Sequence, residues 1–168
     1  YYTVDDSLII RVRTFSGHSS VVFSVFVSGD YLFTASGVPG DYTAKMWNIS
    51  TGALVRTFSG HTSHVRSVFV SGDYLFTGGS WDNTARMWDI STGVLVRTFD
   101  ASALGHRAVW CVFVSRLDIG QGEKDYLFTG GQDRSARMWD ADPNSNNFGK
   151  LVRTFRHPEC SCDGHTNY

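Results

Sequence analysis

Cysteine, proline, net charge and long apolar runs are all scarce in this sequence. Three cysteines in 168 residues are too few, and odd in number, for a disulfide scaffold, so a core has to come from apolar packing. That usage mildly favours a reducing, cytoplasmic compartment and otherwise leaves localisation open. The net charge is −1, from 15 Lys+Arg against 16 Asp+Glu. Such a balance offers no basic field to a phosphate backbone and no polybasic strip to anionic lipid, so neither nucleic acid nor membrane is expected as a partner. The longest apolar stretch, Val21 to Val27, is interrupted by Ser24 and falls far short of the roughly 18 residues a membrane helix needs. The chain opens on Tyr1-Tyr2-Thr3 rather than Met, which leaves any targeting segment unread.

What is present is repetition. SGDYLFT runs from Ser28 to Thr34 and again from Ser71 to Thr77, and DYLFT returns at Asp125 to Thr129. LVRTF occupies Leu54 to Phe58, Leu95 to Phe99 and Leu151 to Phe155, with RVRTF at Arg11 to Phe15. TAKMWN, TARMWD and SARMWD end at Asn48, Asp89 and Asp140, and Gly-His pairs end at His18, His61, His106 and His165. A fixed period of a few tens of residues signals an array of like units. The later units are lengthened around Asp100 to Leu104, at Leu117 to Lys124 and at Pro143 to Lys150, polar or Gly-rich additions expected as loops.

Within a unit the apolar pieces are short, rich in Val, Phe, Tyr and Thr, and punctuated by Ser-Gly-Asp, Trp-Asp-Asn and Ser-Thr-Gly. Each unit therefore reads as four antiparallel strands, the first two joined by a Ser-Gly-Asp hairpin. Successive apolar positions in Val21 to Val27 predict burial on both faces of the sheet, with a neighbouring sheet over each.

The Gly-His pairs, the Trp-Asn or Trp-Asp pairs at Trp47, Trp88 and Trp139, and Asp41, Asp82 and Asp133 each six residues before the Trp resemble the WD-repeat (WD40) β-propeller family. The resemblance covers nearly the whole chain and implies an all-β fold of about three four-stranded antiparallel blades in an incomplete or oligomer-completed ring. On this reading residues 1–168 form a partial propeller. Residues 8–15 are the outer strand of a preceding blade, 16–58, 59–99 and 100–155 the three blades, and 156–168 the start of a further unit. The family's buried relay of His, Thr, Asp and Trp maps onto His18, Thr34, Asp41 and Trp47; His61, Thr77, Asp82 and Trp88; and His106, Thr129, Asp133 and Trp139. An indole only donates, a carboxylate only accepts, and hydroxyl and imidazole do both, so these types close a chain of hydrogen bonds. A set that recurs in every unit reads as structure rather than as a catalytic triad.

Closed propellers have about four to eight blades. Three blades leave two apolar end faces, so either the remaining blades of a longer chain or a second copy is expected to cover them.

Function belongs to residues the repeat does not need. Trp81 and Trp110 are surplus tryptophans, and Trp110 falls at the first-strand position held elsewhere by Phe23 and Arg66. With Val21, His64 and Gln132 they make a candidate partner-binding surface which, by the resemblance, faces the upper mouth of the channel. Aromatics beside an Arg are hot-spot chemistry. The competing reading packs Phe23 and Trp110 between blades as core. Cys160, Cys162, His157 and His165 are metal-capable, but Cys-x-Cys is tighter than usual ligand spacing, so no metal and no cofactor is expected. Cys111 replaces a first-strand Ser and reads as a small buried residue. The leading function is a non-catalytic scaffold for protein or peptide partners. An architectural role through open blade faces is the alternative, and an enzyme using His64 and Arg66, with no nucleophile–base pair beside them, is the weakest.

Overall fold

The computed structural model of the chain describes residues 13–37, 40–102 and 108–156. Three four-stranded antiparallel sheets follow one another. The first is β1 (Val22–Ser28), β2 (Tyr31–Ser36), β3 (Thr43–Asn48) and β4 (Leu54–Ser59). The second is β5 (Val65–Ser71), β6 (Tyr74–Gly79), β7 (Thr84–Asp89) and β8 (Leu95–Asp100). The third is β9 (Val109–Asp118), β10 (Glu123–Gly131), β11 (Ser135–Asp140) and β12 (Leu151–Arg156). Spatial order equals chain order in each, as hairpin connections require. In the Ser-Gly-Asp turns Gly29 and Gly72 both sit at φ 55°, a left-handed position that a residue with a Cβ adopts only at a cost.

The sheets stack as wedges with β1, β5 and β9 in contact along the stack. One apolar core fills each junction. Phe33, Ala35, Met46 and Phe58 of the first sheet meet Val65, Val68, Val70, Leu75 and Trp88 of the second. Phe76, Met87 and Phe99 of the second meet Val109, Val112, Val114, Leu127 and Trp139 of the third. Alternation does the sorting, since successive strand residues face opposite sides: Leu75 goes to one core and Phe76 to the next. Burying each large apolar side chain contributes about 1.5–3 kcal/mol.

Polar ties repeat with the same step. The Ser24 hydroxyl accepts the Val68 N–H at 3.2 Å, and the Ser67 hydroxyl accepts the Val112 N–H at 3.1 Å. Phe26, Phe69 and Phe113 form a ladder with 4.9 Å between successive rings. Arg56 donates to the carbonyls of Ser91 and Thr92 at 2.6 and 2.7 Å. Its stem lies so close over Gly93 that a Cβ there would meet Arg56 Cδ at 2.9 Å, and Arg97 and Arg13 lie the same way over Gly149 and Gly52.

The structure departs from the sequence expectations at four places. Burial on both faces of Val21–Val27 fails: Val25 and Val27 are exposed because, among the described residues, no sheet covers that side of β1. Cys111 is exposed rather than buried, for the matching reason at the other end of the stack. The addition at Leu117 to Lys124 is half ladder, with Leu117 paired to Lys124 and Asp118 to Glu123. Its tight turn is held by Asp118 Oδ1, which accepts the N–H groups of Gly120, Gln121 and Gly122. The addition at Pro143 to Lys150 is not merely a polar loop. Phe148 turns inward, edge-on to Phe99 at 6.4 Å, with the Arg97 guanidinium 4.3 Å above its ring.

Candidate functional site

Two of the expected relays are assembled. In the first sheet the Trp47 indole donates to Thr34 Oγ1 at 2.9 Å, Thr34 Oγ1 lies 2.7 Å from His18 Nε2, and His18 Nδ1 lies 2.7 Å from Asp41 Oδ2. In the second, Trp88 to Thr77 is 2.9 Å, Thr77 to His61 is 2.7 Å, and His61 to Asp82 is 2.5 Å. The Thr oxygen accepts from the indole, and the imidazole proton on Nδ1 goes to the carboxylate. In the third sheet Trp139 donates to Thr129 at 3.0 Å, while His106 lies outside the described residues. Asp133 there accepts hydrogen bonds from Ser135 and, at 2.7 Å, from the fully buried Arg137.

The carboxylates are tuned to stay ionised. Burial pushes Asp41 up, but hydrogen bonds from Thr43, His18 and the Ser19 N–H, with the His18 charge, outweigh it and hold it below its ordinary value. Asp82 is likewise low: burial opposes, and the His61 hydrogen bond and charge with the N–H groups of Thr84 and Thr62 prevail. A side chain on Gly79 is excluded, since a Cβ would fall 2.5 Å from His61 Nδ1. The hydroxyls of Thr34, Thr77 and Thr129 are buried and already bonded on the indole side, so a substrate in solvent has no access to them.

The candidate partner-binding residues share one end of the sheets. Phe23, Arg66 and Trp110 occupy equivalent β-bulges: the register slips between Val22 and Ser24, between Val65 and Ser67, and opposite Gly130/Gly131. A bulge re-aims the extra residue away from the ladder, and all three are exposed. Phe23 also reaches across to the second sheet. The Arg66 guanidinium lies 4.8 Å from the Phe23 ring centroid, and Phe23 lies 6.0 Å from the His64 ring. Tyr42, at 5.9 Å from His64, completes this group and escaped the sequence reading. The signal for it was present: Tyr42 follows the turn Asp where the other units carry Asn83 and Arg134. His64 Nδ1 is shut away from solvent without a hydrogen-bond partner. Val21 and Gln132 are exposed on the same end, as are Trp81 at 63% and Trp110 at 50%. Among the described residues no ring contact joins those two tryptophans to the Phe23 group.

Among the described residues no three potential ligands converge on a metal position, and Cys160, Cys162 and His165 lie outside them. No helix among the described residues is long and apolar enough to cross a membrane.

The family model described as "WD domain, G-beta repeat" matches residues 10–48, 52–89 and 93–140. Each match ends on a third strand, one strand short of the sheet, so the sequence repeat and the structural wedge are offset. No curated protein sequence matches the chain. Among solved structures it resembles the WD40 β-propeller domain of Doa1, with 26% identity and a TM-score of 0.65 over 86% of this chain and 43% of that one. It also resembles the computationally designed Ika8 protein, at 24% identity and a TM-score of 0.63, covering 86% of this chain and 39% of that one. The designed Ika4 protein matches at 24% identity and a TM-score of 0.60, covering 84% and 76%. The chain thus spans well under half of the Doa1 and Ika8 chains.

Proposed function

We propose, from the premise that this chain belongs to the WD40 repeat family, that it is a non-catalytic scaffold presenting one end of its sheets to a protein or peptide. WD40 domains generally act as protein-interaction scaffolds and are generally non-catalytic. The observation that carries the finer reading is the row of three equivalent bulges. The repeat keeps the bulge and changes its residue, to Phe23, Arg66 and Trp110. Such a position serves recognition rather than packing, because core positions of the same strands hold Val in every unit. Trp81 enlarges the surface with an indole the turn does not need. Aromatic side chains in this setting bury much area with little rotamer entropy lost, and Arg and Trp are the types that dominate binding energy at such surfaces. We read 16–58, 59–99 and 100–155 as the blades that carry this rim.

The test is capture of partners from native extract by the wild-type chain and by Trp81→Ala/Trp110→Ala. Both indoles are exposed, so the variant should keep its melting temperature and lose its captured proteins. Identical capture by both would discard this surface.

A further inference from the structure

At the hairpin end of the first two sheets, opposite the bulges, lies a cavity of about 630 Å³, within the range of about 300–1,000 Å³ of ligand pockets. Phe33, Met46, Val70 and Ile90 form its apolar walls, and Arg56, Asp73 and Asp89 bring charge to it. Arg56 engages the Ser91 and Thr92 carbonyls with the edge of its guanidinium, which leaves the planar face for a ring. Among the described residues no ring lies on that face. Asp89 accepts from Ser91 and Thr92 through Oδ1 alone, and these hydrogen bonds hold its carboxyl below the ordinary value. Its Oδ2 has no partner among the described residues.

The second junction shows what fits such a place. By repeat position Arg97 stands for Arg56, Asp125 for Asp73, Asp140 for Asp89, Ala141 for Ile90 and Lys124 for Gly72. The two additions of the third sheet fill the space there. Phe148 packs on the core with the Arg97 guanidinium 4.3 Å above its ring. Ser145 donates to Asp140 Oδ2 at 2.6 Å and accepts from Lys124 Nζ at 3.3 Å, which brings an ammonium beside the acidic group. The third sheet thus supplies a ring and a cation from within the chain. The shorter turns at Gly72 and at Ser91 to Gly93 supply neither to the first junction.

We infer that the cavity between the first two sheets binds a segment of another protein that carries an aromatic side chain with a Lys or Arg close to it. The ring stacks on Arg56, and the cation turns to Asp73 and Asp89. Burial of the ring and its contact with the guanidinium supply most of the affinity. The cation chiefly selects, because solvent screens ion pairs at the mouth of an open cavity. The site lies at the other end of the sheets from the proposed rim and does not depend on it.

Met46, Met87 and Met138 are the only methionines, one per sheet, and Met46 alone lines this cavity. The full chain, isotope-labelled at its methionine methyls, is titrated by NMR with the capped tripeptide Phe-Gly-Lys, the order found at Phe148 to Lys150; Met46→Leu assigns the signal. The expected result is a saturable shift of the Met46 methyl with Met87 and Met138 unmoved. Capped Ala-Gly-Lys should leave all three in place, and Phe-Gly-Glu should bind severalfold more weakly than Phe-Gly-Lys. Asp73→Asn/Asp89→Asn should abolish that preference and keep the fold, since Asn48 already holds the equivalent turn of the first sheet through its Oδ1. A Met46 signal that stays fixed, equal shifts at all three methyls, binding of Ala-Gly-Lys, or a preference for Lys over Glu that survives in the double variant would each overturn the inference.

Discussion

The second and third sheets carry the same turn Asp six residues before the same Trp, and use it differently. Asp82 is held by an imidazole, 2.5 Å from His61, and its neighbour Arg86 points away along Thr84 and the Trp88 ring. Asp133 is held by a guanidinium, 2.7 Å from Arg137, which is fully buried. Asp133 thus faces a buried guanidinium that Asp82 does not. The electrostatic stakes are unequal, because a buried guanidinium without its carboxylate is far costlier than an imidazole without its acceptor.

The sharpest break of this comparison is Asp133→Ala, which should lower stability by about 3–5 kcal/mol, as for an ion pair broken by removal of one member. Asp82→Ala should cost about 1–3 kcal/mol, the range for a lost charged hydrogen bond. Urea midpoints of the two variants measure this, and equal losses would erase the distinction between the sheets. Acid supplies the second test. Asp41 and Asp82 titrate below their ordinary value of 3.8 when folded. They bind fewer protons folded than unfolded, so their stabilisation is complete above that value and is lost as pH falls through the lower folded values. The melting temperature of the wild type should therefore drop as pH falls below about 4, and Asp82→Asn should show a shallower drop. The smallest effect concerns Arg134, held at φ 60° where the second sheet has Asn83 at φ 58°. Asn visits this left-handed backbone readily, and Arg only at a cost. Arg134→Gly should raise stability by about 1 kcal/mol, read from the same urea curves.

Strand number, sheet order and the partners that meet in the first two relays were legible because each depends on local pattern: short β-rich runs, turn residues and one His–Thr–Asp–Trp spacing. The bulges at Phe23, Arg66 and Trp110 were not legible, because a bulge is a mismatch between two strands and leaves no mark in either alone. The pairing of Arg137 was hidden too, since Lys45 and Arg86 stand at the same repeat position and which cation turns inward is decided by packing. Cys111 is exposed where its strand position suggests burial. A face is buried only when another sheet lies on it, and that depends on assembly rather than on the residue.

The Phe26–Phe69–Phe113 ladder and the two Ser hydroxyl ties give every junction the same stereochemistry. Misaligned recombination between the two copies of the stretch encoding SGDYLFT would lengthen or shorten the array by a whole wedge, and each new boundary would already have its contacts. The number of units in such a chain can thus drift in single steps without passing through an ill-fitting intermediate.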